Sequence, residues 1–223
     1  PNRKAKVVLY TAIIDNYDPL IIPETIVNEW DYVVFSNTEI PGEHIFEVRQ
    51  PEYNSSNPTR IARYIKTHPH IYFSEYEYSI WIDANILVRG SNLLNSVNKC
   101  INHDIAMMCN PHHARNCIYE ELQTCLARSK DDPSLMEEQV ARYQEEGMPH
   151  SYGMFETNIF IRKHNQQMVR EFNEAWWQEI DQGSIRDQLS MTYVLWKKGI
   201  ECKPIPGMKD IRIHENNDYC LFL

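Results

Sequence analysis

The chain has 223 residues, 43% hydrophobic and 24% charged, a composition of ordinary globular type that can bury a core without disulfide or metal staples. Its formal net charge is −9, 31 acids against 22 bases, which excludes a nucleic-acid binder with a basic footprint; a small anionic ligand held by local cations stays open. No apolar run approaches the ~18 residues of a membrane-spanning helix.

The length suits one domain over residues 1–223. The chain begins with Pro1 rather than Met, as a piece of a longer protein would. Six cysteines, at 100, 109, 117, 125, 202 and 220, form no C-x-x-C pair, so a zinc knuckle is not expected. Apolar surroundings such as "AMMCN" mark them as buried reduced thiols, which favours a cytoplasmic location. The alternative is the Golgi lumen, with a disulfide or two and the sequon Asn54-Ser55-Ser56.

In chain order, Lys6–Ile14 is a β-branched run of the kind buried on both faces of a sheet, and "DNYDP" after it is turn chemistry. Asp31–Asn37 is a second strand and "HIFEVRQ" a third, alternating one. Asn57 as N-cap and Pro58 at the first helical position open a helix over "PTRIARYIKTH". A strand over Ser79–Asp83 follows, then a short helix capped by Ser91 and a strand over Asp104–Asn110.

Apolar spacing makes the middle helical, with Ile118, Leu122, Cys125 and Leu126 on one face, Met136, Val140 and Tyr143 on another, and Asp131-Asp132-Pro133 between. Thr157–Lys163 is a strand. Met168, Phe172, Trp176 and Ile180 recur every four residues on a helix, and "SIRDQLSMTYVLWKK" is a further helix closed by Gly199. The last twenty residues read as short strands and turns. Strands alternating with helices give an α/β class, Rossmann-like, with a mostly parallel central sheet flanked by helices. No G-x-G-x-x-G follows the first strand, which argues against a dinucleotide fold.

In such sheets ligands collect at the carboxyl ends of strands. There the chain places Asp83 and, two residues on, Asn85. At the end of a strand these positions point to one side, so they suit a shared divalent ion, Mn²⁺ or Mg²⁺, completed by substrate phosphates. A carboxylate that merely caps a turn is the other reading. His214 in "IRIHENND" is a candidate third ligand, and an imidazole favours Mn²⁺; an isolated histidine is more often an ordinary surface or core residue. On the preceding helix Arg60, Arg63 and Lys66 stand three apart, a cationic row suited to a diphosphate or to a plain solvated face.

The ordered segments "YTAIIDNYD", "NPTRIARYIKTHPHIYF", "YSIWIDANI", "HHARNCIYEE", "FETNIFIRKHN" and "RDQLS" resemble a family of glycosyltransferase-like domains from bacteria, plants and large viruses, the plant mucilage-synthesis proteins among them. The likeness runs from Tyr10 to about Ser190, and "WIDANI" and "RDQLS" are its most specific pieces. It implies the A-type glycosyltransferase fold, a nucleotide-sugar donor (a UDP-sugar for preference) and a glycan or protein-linked glycan acceptor. It also implies an acid motif that holds a metal on the diphosphate. The hallmark of that motif is Asp-x-Asp; Asp83-Ala84-Asn85 departs from it. Carried over residue by residue, Thr11, Ala12, Ile13 and Asp18 would hold base and ribose, Arg63 and Lys66 would approach the diphosphate, Asp83 and Asn85 would hold the metal, and His214 would join them.

Glycosyl transfer needs a base for the acceptor hydroxyl or a carboxylate facing the anomeric carbon. Asp187 is the first candidate, although Ser184-x-x-Asp187 is also a helix capping box. Glu156 is the second. His112, His113 and Arg115 are candidates for contact with acceptor or sugar, or form a hydrated loop. Trp176 falls on an apolar helix face and packs in the core. Two other classes compete: a degenerate nucleotide- or carbohydrate-binding module without turnover, and a nucleotidyltransferase or metal phosphohydrolase. The last requires a glycine-rich phosphate loop or more clustered carboxylates than the sequence displays.

Overall fold

The computed structural model describes residues 6–221; the first five and last two positions of the expected 1–223 span lie outside them. A seven-stranded sheet forms the centre, in the order β3-β2-β1-β4-β7-β6-β8. Its strands are β1 (Val7–Ile13), β2 (Trp30–Ser36), β3 (Glu47–Arg49), β4 (Tyr78–Ile82), β6 (Met107–Pro111), β7 (Phe155–Arg162) and β8 (Lys203–Pro204). All neighbours pair in parallel except β7, which runs antiparallel to both β4 and β6. A small second sheet pairs β5 (Ile86–Val88) with β9 (Tyr219–Leu221). The α/β class and mostly parallel sheet read from the sequence are those of the structure.

The continuous apolar runs of β1, β2 and β4 arise because helices cover both faces. Successive residues of β1 go to opposite cores. Val8 and Tyr10 join one with Ile61, Ile65, Phe160, Phe172 and Trp176; Val7, Leu9 and Ile13 join the other with Leu93, Val97 and Cys100. The first core lies under α1 (Pro58–Thr67), α6 (Gln167–Gln182) and α7 (Asp187–Lys198), and the second under α3 (Asn92–His103). The short α2 (Pro69–Tyr72) follows α1, while α4 (Ile118–Ala127) and α5 (Pro133–Glu145) fill the middle. Trp176 is fully buried, as its place on the helix face requires.

The strand order fixes where a ligand can sit. From β1 the chain steps outward to β2 and β3, then returns to place β4 on the other side of β1. Loops leaving the carboxyl ends of β1 and β4 therefore diverge and leave a crevice between them. The antiparallel β7 brings its amino end to the same edge: Ile159 pairs with Ile82, and the Asp83 amide donates to the Asn158 carbonyl at 2.9 Å. The carboxyl end of β6, at Asn110 and Pro111, pairs with Glu156 and Phe155 across a bulge after Cys109.

Several local readings change. Asn57 does cap α1, its Oδ1 accepting from the amides of Thr59 at 2.9 Å and Arg60 at 3.3 Å. Ser91 precedes α3 but makes no side-chain cap; the Asn92 amide donates instead to Asp218 Oδ2 at 2.9 Å, from a loop more than a hundred residues away. Asp104 is no strand residue: it adopts a left-handed φ of 52° as the C-cap of α3, and the strand begins at Met107. "HIFEVRQ" yields only the three-residue β3 at the sheet edge, where pairing on one side sustains less strand. All six cysteines are free thiols.

Gly90, with φ +68°, closes the β5 arm against Asp218: a Cβ there would meet the Asp218 carboxyl group at 2.5 Å. Gly90→Ala should lose about 1–2 kcal/mol to left-handed strain and about 1 kcal/mol more as Asp218 is pushed off the α3 terminus. Urea unfolding measures this, and a change within about 0.5 kcal/mol, the scatter of an ordinary surface substitution, would contradict it.

Candidate active site

Two cavities open at the carboxyl edge of the sheet, of about 190 and 270 Å³, and share the lining residues Arg63, Asp83 and Arg186. Together they fall within the ~300–1,000 Å³ typical of small-molecule sites. The larger lies in the crevice between β1 and β4, against Ala12, Ile13, Asp18 and the turn Asp83-Ala84-Asn85, with the almost fully exposed Tyr17 at its rim. The smaller runs toward β6, β7 and α4, past His112, Arg115, Glu156 and Asp187.

At the partition stands a buried ion pair. Lys66 Nζ, fully buried, donates to Asp187 Oδ2 at 2.6 Å, and Asp187 is 2% exposed. Thr157 Oγ1 donates to the same oxygen at 2.8 Å, while Arg63 Nε lies 3.3 Å from Oδ1. Burial pushes the Asp187 carboxyl up, but Arg63, Lys66 and Arg186 outweigh it and hold the group well below the usual carboxylate range. Burial likewise pulls the Lys66 ammonium down, opposed by Asp187 and Asp83. Asp83 completes the group: its Oδ1 accepts from Trp81 Nε1 at 2.7 Å and lies 3.6 Å from Lys66 Nζ.

The capping box does not form. Ser184 Oγ donates to Asp131 Oδ2 at 2.6 Å, the Ser184 amide donates to Gln139, and the Arg186 amide donates to Ser184 Oγ at 3.1 Å. Asp187 is thus released from backbone duty and turned toward α1. Nor does the cationic row lie on one solvated face. Arg60 leaves the cleft to donate to the carbonyls of Ile180 at 2.6 Å, Asp181 at 2.9 Å and Gly183 at 3.2 Å, satisfying the end of α6. Lys66 turns inward, and of the three only Arg63 faces the cavities.

β4 ends at Ile82, so Asp83 and Asn85 are not alternate positions of a strand. They occupy a turn closed by the Ile86 amide donating to the Asp83 carbonyl at 3.0 Å, and the turn puts both on the larger cavity. Asp83 Oδ2 and the Asn85 amide group have no partner among the described residues. Asp18 faces the same space, and burial followed by the negative charge of Asp83 raises its carboxyl pKa. Two carboxylates and an amide oxygen there are a hard donor set that a divalent cation would suit. Thr11 is 1% exposed within β1 and lines neither cavity. His214 is exposed in a loop, not at a strand end, and its carbonyl accepts from Arg89; its ring lines neither cavity.

On the other side, Glu156 is held from three directions. Its Oε2 accepts from Asn110 Nδ2 at 3.2 Å and Asn158 Nδ2 at 3.3 Å, and its Oε1 lies 2.5 Å from His113 Nδ1. His113 Nε2 faces Asp210 Oδ2 at 3.4 Å, so the imidazole bridges two carboxylates. His112, His113 and Glu156 offer ligand atoms within 4.8 Å of one another. His112 Nδ1, however, already accepts from the amides of Ala114 at 3.1 Å and Arg115 at 3.0 Å, and Arg212 lies 3.4 Å from His113. His112 Nε2 lies 3.1 Å from Arg115 Nη2, so donors face both ring nitrogens and neither offers a free lone pair to an ion. The trio is therefore better suited to moving protons than to holding a metal. Arg115 pairs with Glu121 at 2.5 Å.

Arg186, Asp210, Arg212 and the two asparagines were not singled out by sequence reasoning. Arg186 adjoins Asp187 in a segment already marked, which was the available signal; the others gather only through strand order.

Crevice, acid-bearing turn and cation-lined partition define a glycosyltransferase-like α/β domain. The chain belongs to the family described as TOD1/MUCI70, glycosyltransferase-like domain, whose sequence model matches residues 36–208. No curated protein matches it by sequence. Among solved structures it is similar to the apo structure of WbbM, a bifunctional glycosyltransferase, with a TM-score of 0.51 and 13% identity. That match covers 92% of this chain but 40% of the other, and at such identity it shows the fold alone.

Removing the Asp187 charge should leave Lys66 buried without its partner, a loss of about 3–5 kcal/mol for Asp187→Ala. Because the folded carboxyl pKa is depressed, its contribution is complete above the unfolded value of about 3.9 and shrinks as pH falls below it. Urea titrations of wild type and Asp187→Asn should accordingly converge toward acid pH; parallel curves down to the acid limb would show that the charge contributes nothing.

Proposed function

We propose that this domain transfers a sugar from a nucleoside-diphosphate sugar, for preference a UDP-sugar, to a hydroxyl of a glycan acceptor. The carrying observation is the partition between the cavities. Arg63 and Arg186 both face it; the Nε of Arg186 is buried without a hydrogen-bond partner, and that of Arg63 has only Asp187 Oδ1, at 3.3 Å. Buried guanidinium groups so incompletely satisfied are costly unless a ligand completes them, and phosphoryl oxygens match their planar forks. On this reading the nucleoside lies in the crevice beside Ala12, Ile13, Asp18 and Tyr17, with the diphosphate at the partition.

Asp83, with Asn85 and Asp18 beside it, would hold Mn²⁺ or Mg²⁺. The ion would supply charge neutralisation for the departing diphosphate. The protein's own residues do the rest. Arg63 and Arg186 orient the diphosphate, and Lys66 fixes both Asp83 and Asp187 from beneath. Glu156, held by Asn110 and Asn158, takes the proton of the acceptor hydroxyl, and His113 stabilises the carboxyl through Oε1. The acceptor oxygen bonds to the anomeric carbon as the bond from that carbon to phosphate oxygen breaks, its electron pair leaving on the nucleoside diphosphate. Asp187, locked in its ion pair, serves as a counter-charge that positions Arg63 rather than as the base. Of the two acids weighed from sequence, the geometry thus favours Glu156 for proton transfer.

Glu156→Gln should lower kcat by about 10²–10⁴-fold, the usual range for a lost general base, while donor affinity by calorimetry stays within a few-fold. Asp83→Ala should remove the metal-dependent gain in UDP affinity. If UDP fails to bind with or without Mn²⁺, the donor assignment falls. If UDP binds and neither hydrolysis nor transfer occurs, the domain is a binding module, the reading favoured by the missing second aspartate of the metal motif.

A further inference from the structure

Resting on the transferase reading, we infer that the smaller cavity is an acceptor subsite for an anionic sugar unit, one bearing a carboxylate or a phosphate or sulfate ester. In a chain of net charge −9, this cavity is lined by six cationic side chains against four carboxylates. All four acids are already engaged: Glu121 with Arg115 at 2.5 Å, Glu156 with His113 at 2.5 Å, Asp187 with Lys66 at 2.6 Å and Asp83 with Lys66 at 3.6 Å. Three of the cations are paired, Arg63 with Asp187, Arg115 with Glu121 and Arg212 with Asp210; the other three are not. Arg128 and Lys130, from the loop that ends α4, make no ion pair and no side-chain hydrogen bond among the described residues, and Arg186 Nε is buried without a hydrogen-bond partner.

Position separates this charge from the diphosphate. Arg63 and Arg186 line both cavities, whereas Arg128 and Lys130 line only the smaller one, beyond the partition and on the side that holds Glu156. A diphosphate at the partition leaves these two cations unspent. A group that meets them enters from the side of the base, which is where the attacking hydroxyl must stand. Glu121 and Glu156, which line the same cavity, are already paired, so a neutral sugar would find the polar groups there mutually satisfied and little reason to dock. An anion completes the unpaired guanidinium and ammonium groups instead.

Calorimetry with an isosteric pair tests the assignment: a glucuronate-bearing disaccharide and its neutral glucose counterpart, each added to the UDP-saturated protein. The acidic probe should bind about tenfold tighter, a preference that shrinks as ionic strength rises. The double variant Arg128→Gln/Lys130→Gln should lose the preference while UDP affinity is retained. Equal affinities, no binding of the acidic probe, or a preference that survives the double variant would each overturn the inference. A second arm compares UDP-glucuronate with UDP-glucose. A gain for the acidic donor that the double variant abolishes, without acid preference in the disaccharides, would place the anion on the transferred sugar and overturn the acceptor assignment. Loss of UDP binding in the wild-type protein is a different failure, that of the transferase reading itself.

Discussion

The buried pair between Lys66 and Asp187 ties together parts of the chain that share no local sequence. Lys66 lies in the last turn of α1, Asp187 begins α7, Thr157 lies in β7 and Asp83 follows β4; Asp187 and Asp83 face one ammonium group, and Thr157 donates to Asp187. Two charges in a dry interior are costly to desolvate and become tolerable only when hydrogen bonds fill their remaining valences. Here Asp187 is met by Lys66, Thr157 and Arg63, and Lys66 by Asp187 with Asp83 at 3.6 Å, which holds the partition between the two cavities in place. Asp83 is fixed by Trp81 and Lys66 through one oxygen, with the other left toward the crevice.

The same economy explains the fate of the row on α1. Three cations at one spacing look alike in sequence, yet each meets different chemistry. Arg60 reaches the carbonyl end of α6, Lys66 the buried carboxylate, and Arg63 alone lines the cavity wall, beside the same carboxylate. Helical spacing sets which residues share a face, and the neighbouring helices decide which part of that face meets solvent.

Strand order does for the second cavity what the ion pair does for the partition. Because β7 runs against β4, its amino end, with Glu156 and Asn158, arrives beside Asp83 rather than at the opposite edge. The parallel β6 delivers Asn110 and then the His112–His113 loop to the same place. The result is a cleft whose nucleotide-facing side is built from β1 and β4 and whose other side is built from β6, β7 and α4. Charge is distributed accordingly, with carboxylates and an amide in the crevice and unpaired cations beyond the partition.

The sequence alone determined the layers of the fold. Continuous β-branched runs in β1 and β2 and the four-residue apolar period of α6 are enforced by burial on two faces or one, so they are legible without coordinates. It also marked Asp83, Asn85, Glu156 and Asp187, because acids and amides at element ends break an apolar pattern. Only the tertiary structure decided their partners. Whether Asp187 caps a helix or pairs with Lys66, whether Asp83 and Asn85 share a strand face or a turn, and whether His214 reaches the cleft all depend on contacts across many tens of residues. Local periodicity carries no information about such contacts, since the energy that selects them comes from desolvating charges that meet only after the sheet is assembled.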